Sequence, residues 1–397
     1  MIHAGLWNKG AGENCRYGKQ YAGMEEIVKN LLSKDGYPEL NLENADKILT
    51  SNRESPEIDD NYNIDKYKLI KDYKLTGDHI DNKGDAYDSS DIQNLSKTVI
   101  DAWGRNIDTD TESLQYLFDP EKTHDCKTSY TDVTGLFQLD DEGYYYYNMR
   151  ENFAEFVEEK GNNHFILYDA PATTRTDGKN SIGNFFPFNR GAEVFNSLTT
   201  DENGKEILSS MGIPCARNSM NHHLGMTVDI TFRQPNEGKI NVGTEKKPMT
   251  FGFSGDDDVW VFIDDVLVLD LGGIHSEIYG TIDFSTGEVC IGRAFTTHGI
   301  PEDPTDPSIK VTQTTLRKLF EKAGRGGKKI DWNGDTFASN TDHELKMFYL
   351  ERGNYDSSIA LRFNLQPTLY QQVKKVDQNG EPVGGVEFKL YAAEAGD

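Results

Sequence analysis

Three consecutive carboxylates, Asp256, Asp257 and Asp258, follow Ser254-Gly255 and lie between two hydrophobic runs. Adjacent like charges repel, which is costly unless solvent or a cation separates them. A cluster offering only oxygen suits calcium, a hard cation that takes carboxylate and carbonyl ligands. Neighbouring side chains on an extended strand point to opposite faces, so two adjacent aspartates share one ion only where the backbone bends. A cis peptide supplies such a bend, at roughly 3–4 kcal/mol outside proline. A solvated acidic loop is the plainer reading of the same residues.

Other polar clusters are weaker. Asp201-Glu202-Asn203-Gly204, Asp331-Trp332-Asn333-Gly334 and Asp377-Gln378-Asn379-Gly380 lack the spacing of an EF-hand loop and read as β-turns. Asn221-His222-His223 has no third ligand at a helical or hairpin spacing and reads as a hydrogen-bonded structural pair. His275, in Gly272-Gly273-Ile274-His275-Ser276, fits a site or a turn equally. No G-x-S-x-G elbow, phosphate-cradling glycine loop or H-E-x-x-H is present. Asp256 and Asp257 make a poor glycosidase pair, because that chemistry needs carboxylates about 5–9.5 Å apart. The chain is expected not to be an enzyme.

The elements that must hold these residues are mostly strands. Residues 224–232 (LGMTVDITF) and 249–253 (MTFGF) alternate apolar and polar side chains. Val259–Asp270 reads as a strand pair broken by a tight turn at Asp264-Asp265, with Asp in the usual glycine place. Strands follow at 280–284, 288–292, 344–350 and 358–365, and aromatic clusters at 136–137, 144–147, 152–157 and 165–168 precede them. Helical spacing appears at 19–34 and at about 311–323. Many short strands divided by turns predict a mainly β chain, an antiparallel sandwich with a helical and loop-rich N-terminal elaboration. The organisation expected is an elaboration at 1–130, a sandwich at 131–366, and a hairpin at 367–397 that opens another domain.

Composition bounds the partners. Across 397 residues, 66 acidic side chains face 41 basic ones, a formal net charge of −25. That balance argues against a nucleic-acid backbone or an anionic lipid surface, both of which need clustered Lys and Arg. Only 36% of residues are hydrophobic, but 11% are aromatic, enough area for a core. No apolar run is long enough to span a bilayer, so membrane insertion is not expected. Cys15, Cys126, Cys215 and Cys290 are scattered, which suits four buried thiols as well as one or two disulfides. No secretory leader is visible at the N-terminus, which reads as a cytosolic protein or as a piece of a longer exported chain.

The run GDDDVWVFIDDVLVLDLGGIHSEIYGTIDFSTGEV at 255–289 resembles the fibro-slime domain, a relative of the protective-antigen-type (PA-14) β-sandwich of surface adhesins. TGLFQLDDEGYYYYN (134–148), NHHLGMTVDITF (221–232) and FYLERGNYDSSIALRFNL (348–365) support the likeness, which spans roughly 130–366. The resemblance implies a calcium ion held by Asp256 and Asp257, which in turn binds sugar hydroxyls. A second loop, Glu351-Arg352-Gly353-Asn354-Tyr355-Asp356, would complete it, with Glu351 in place of the family's Asn and Asn354 or Asp356 as runners-up. Implied metal ligands are Asp256, Asp257, Glu351, Gly353 and Tyr355. Implied sugar contacts are Asp256, Asp257, Arg352, Asn354, Tyr355 and His275. Residues 373–391 resemble the start of a collagen-adhesin B-type (SpaA-like) stalk repeat, with Lys375 at the isopeptide lysine. Together these imply a calcium-dependent, glycan-binding lectin head, monomeric on a longer stalk. It would belong to an extracellular, wall-anchored protein of a Gram-positive bacterial cell surface. The alternative is a structural or protein-binding tip that uses calcium only for rigidity.

Overall fold

A computed structural model describes residues 2–9, 17–19, 28–39, 41, 68–70, 113–121, 127–169, 185–190, 198–200, 206–208, 224–255, 258–272, 277–294, 299–324, 330–351 and 357–366. Within Leu224–Arg233, Leu224, Met226, Val228, Ile230 and Phe232 are buried, while Thr227, Asp229 and Thr231 between them are only half-buried. Strand side chains alternate between faces, so this segment turns one continuous apolar face toward a core.

Six strands make the first sheet. Their order is β12 (Val266–Leu271), β11 (Asp258–Ile263), β16 (Asp342–Glu351), β9 (Leu224–Arg233), β1 (Ile2–Lys9) and β2 (Lys127–Tyr130). Seven strands make the second. Their order is β15 (Lys310–Thr315), β14 (Glu288–Arg293), β13 (Ile278–Asp283), β10 (Thr250–Gly255), β17 (Ile359–Phe363), β4 (Tyr145–Asn148) and β3 (Gln138–Leu139). Every pairing in both sheets is antiparallel. Their apolar faces merge in one core, with Met226, Val228, Val261, Met347 and Tyr349 from the first sheet and Phe251, Phe253, Ile282, Leu361 and Phe363 from the second. The chain is therefore the antiparallel β-sandwich that its strand and turn pattern predicts. A smaller sheet joins β5 (Asn152–Val157), β6 (His164–Asp169), β8 (Glu206–Leu208) and β7 (Leu198–Thr200).

The turn at Asp264-Asp265 forms as expected. Both residues have positive φ, 49° and 71°, the backbone of a two-residue hairpin turn. The expected helix at 19–34 does not extend through its described part. There Leu31 bridges Val266, Leu32 N–H donates to Asp265 O at 3.0 Å, and Leu267 N–H donates to Asn30 O at 3.0 Å. The open backbone of the edge strand β12 captures this segment, and that pairing overrides a helical spacing of apolar residues. At 311–323 the helix starts later than its spacing suggests. Residues 310–315 pair with β14, and α2 (Leu316–Lys322) begins where Thr315 Oγ1 accepts the Lys318 N–H.

The outward face of the six-stranded sheet is covered as well. Segments 28–39 and 113–121, the latter holding α1 (Gln115–Phe118), pack over it, with Phe118 edge-on to Phe348 at 5.1 Å. Phe348 and Leu350 are accordingly buried although they point away from the core.

Candidate functional site

In sequence the acidic triplet falls between strands of different sheets. Gly255 ends β10 in the seven-stranded sheet, and Asp258 begins β11 in the six-stranded one. Gly255 pairs with Ile278 and Ile359, the first residues of β13 and β17, and Asp258 pairs with Leu350 near the end of β16. The ends of β10, β12 and β16 and the starts of β11, β13 and β17 therefore lie at one pole of the sandwich. The backbone there is tight: a Cβ on Gly255 would lie 2.3 Å from Ser358 O, so only glycine fits.

Two groups of described polar side chains at this pole are bonded among themselves. Glu277 is buried, and both its oxygens take the fork of Arg150, with Nη1 donating to Oε1 at 2.9 Å and Nη2 to Oε2. Ser254 Oγ donates to the same Oε1 at 2.8 Å. Glu351 has no exposed surface, and Tyr349 donates its phenol proton to Glu351 Oε2 at 3.2 Å. Ser357 Oγ then donates to the phenol oxygen at 3.0 Å. Asp258 is fully buried. Bidentate pairing with Arg150 and a serine donor neutralise Glu277 without an ion.

Of the predicted ligands and sugar contacts, Glu351 alone is described, and the fold brings it to the same pole as Asp258. Asp256, Asp257, His275, Arg352, Gly353, Asn354 and Tyr355 lie outside the described residues. Among the described residues no group of three or more His, Cys, Asp or Glu is placed to hold a metal ion.

A concavity lies elsewhere, on the outward face of the six-stranded sheet. A cavity of about 450 Å³ is lined by Asp35, Gly36, Tyr37, Phe118, Pro120, Thr131, Asp132, Thr227, Asp229, Lys346 and Phe348. Register explains its floor. Thr227 lies opposite Phe348 and Asp229 opposite Lys346, so four outward side chains from β9 and β16 form one patch. Tyr37 and Phe118 arrive from the covering segments, with Tyr37 6.2 Å from the Phe348 ring. The Tyr37 phenol is pushed up to about 12, first by burial and then by the charges of Asp119, Asp229, Asp35 and Glu121. An aromatic wall beside carboxylates and one ammonium is suited to binding a small polar ligand.

Comparison with known proteins corrects the resemblance read from the sequence. No family model matches the chain, whether fibro-slime, protective-antigen-type or collagen-adhesin. No solved structure matches it either. Similar proteins come from Dictyostelium discoideum, a eukaryote. Protein psiB is 32% identical over 124 residues, 31% of this chain and 18% of that protein. Protein psiE is 40% identical over 75 residues, 19% of this chain and 13% of psiE. Protein psiG is 63% identical over 43 residues, 11% of this chain and 6% of psiG. The chain thus spans less than a fifth of the length of each of these relatives. Relatives of this kind, with no metal-ligand group among the described residues, overturn the bacterial calcium-dependent lectin adhesin.

Two features escaped the sequence reading. Arg150 and Glu277 are 127 residues apart and carry no shared motif. Asp229 and Lys346 did leave a signal, as polar residues at alternate positions of apolar strands. Nothing local says that Tyr37 and Phe118 wall them in.

Proposed function

We propose that this chain is a non-enzymatic recognition module, working outside the cell, that takes a small polar ligand in the pocket over β9 and β16. The observation that carries this is the pocket itself, about 450 Å³ with three aromatic side chains and four charged ones on a sheet face that is otherwise covered. Pockets of this size with a few polar groups among aromatic walls are the usual form of small-ligand sites. Its floor stands on central strands of a packed sandwich, so the side chains are held before any ligand arrives.

A fragment panel followed by backbone and side-chain NMR tests it. Alkylammonium, carboxylate and saccharide fragments are titrated into the full chain. At least one is expected to shift the signals of Tyr37, Thr227, Asp229, Lys346 and Phe348. The half-buried Thr227 is replaced by Trp to fill the cavity, and those shifts are then expected to vanish while the fold persists. If no fragment moves these signals, the pocket is not a recognition site.

A further inference from the structure

We infer that a second cavity, on the opposite sheet, binds an extended peptide through its backbone and one apolar side chain. This cavity, of about 310 Å³, shares no residue with the pocket over β9 and β16. Along β17, Ile359, Leu361 and Phe363 enter the core, so Ala360 and Arg362 point outward from the seven-stranded sheet. Register sets Arg362 between Tyr146 of β4 and Gly252 of β10, and Ala360 between Asn148 and Ser254. The small side chains of Ala360 and Ser254, and the absence of one at Gly252, keep this stretch of the sheet shallow. Ile300 settles on it from the segment before β15, so that a Cβ on Gly252 would stand only 3.1 Å from Ile300 Cγ2. Ala360 and Ile300 form an apolar notch, with a polar group at each end of the cavity.

At one end Arg362 is fixed before any ligand arrives. Its guanidinium lies 3.5 Å over the ring of the buried Tyr144, and Nη2 donates to Asp140 Oδ2 at 3.1 Å and to Glu142 Oε2 at 3.0 Å. Both bonds use the same nitrogen, so among the described residues Nε and Nη1 keep their donors for an acceptor. At the other end Glu151 Oε1 accepts from Asn148 Nδ2 at 3.2 Å, and Oε2 has no partner among the described residues. The cavity thus presents donors, an apolar floor and an acceptor, on rows two strand residues or about 7 Å apart. An extended peptide carries the matching series of carbonyl, side chain and N–H. A free carboxylate matches less well, because Asp140 and Glu142 already neutralise Arg362.

NMR of methyl and guanidinium signals on the full chain tests this. The probes are N-acetyl-Ala-Val-Ala amide, the same peptide with glycine at its centre, isobutanol and butyrate. The valine peptide is expected to shift the Ile300 and Ala360 methyl signals and the Arg362 Nε–H signal, and to bind more tightly than the glycine peptide. Glu151→Ala is expected to weaken it roughly three- to tenfold, the loss of one hydrogen bond. Ile300→Ala enlarges the notch and is expected to move the preference from valine to phenylalanine at the centre of the peptide. Tighter binding of a larger side chain separates a ligand site from a merely structural patch, because loss of folding cannot produce it. Equal binding of the glycine peptide or of isobutanol overturns the peptide assignment, and so does binding of butyrate alone. If no probe moves these signals, the cavity is not a binding site.

Discussion

At the residue scale the most demanding group is His343, buried with Asp264 at the far end of the β11–β12 hairpin. Thr341 donates its hydroxyl proton to Ala338 O at 2.6 Å, so the imidazole Nε2, 2.6 Å from Thr341 Oγ1, must be the donor there. Nδ1 faces Asp264 Oδ2 at 2.8 Å, and the ring is stacked on Phe337 with centroids 3.8 Å apart. Asp264 Oδ1 also accepts the Glu344 N–H at 3.2 Å, which ties the hairpin turn to β16. Replacing His343 by Phe keeps the stacking but leaves the carboxylate buried beside a ring that offers no proton. Breaking a buried pair in this way costs about 3–5 kcal/mol. Urea denaturation is expected to show that loss for His343→Phe and to recover part of it when Asp264→Asn is added. Asn tolerates the positive φ of this turn, so the second change tests charge rather than backbone. No recovery in the double variant would mean that the imidazole stabilises the hairpin by shape alone.

At the element scale the crossing from β10 to β11 carries a comparable constraint. Gly255 has Ser358 O and the Phe253 ring within 2.3 and 2.7 Å of where a Cβ would stand. Gly255→Ala must therefore move β17 away from β10, an overpacking cost of about 1–3 kcal/mol or more. Thr315→Ala, which removes only the cap of α2, is expected to cost about 1 kcal/mol and serves as the reference. A Gly255→Ala chain as stable as Thr315→Ala would show that the crossing can relax. The elements legible in the sequence were those whose own pattern decides them. The alternation of 224–232 placed β9, and paired Asp residues between apolar runs placed the β11–β12 turn. The helix expected at 19–34 failed in its described part because an edge strand, remote in sequence, offered Leu31 and Leu32 a pairing partner. The candidate site divides in the same way. Asp229 and Lys346 were legible in their own strands, as polar residues between apolar ones. Tyr37 and Phe118 were not, because only the folded sheet brings them over Asp229 and Lys346.

At the scale of the whole molecule the governing quantity is charge. A formal net charge of −25 acts against compaction, since unfolding separates like charges. Ion pairs act the other way, but most are exposed, for example Arg233 with Asp342 and Arg317 with Glu321, and such pairs contribute about 0–1 kcal/mol each. Arg362 is the best connected of them, bonded to Asp140 and Glu142 and stacked 3.5 Å above the Tyr144 ring. The buried pairs, Arg150 with Glu277 and His343 with Asp264, are shielded from salt by the protein around them. Screening should thus relieve the general repulsion more than it weakens the useful pairs. Raising sodium chloride from about 10 to 150 mM, which shortens the Debye length from about 30 to 8 Å, is expected to raise the melting temperature. Scanning calorimetry at constant pH measures it, with an uncharged osmolyte as the control for water activity. A falling midpoint would place the balance with the surface pairs, and Arg362→Gln would then remove much of the effect.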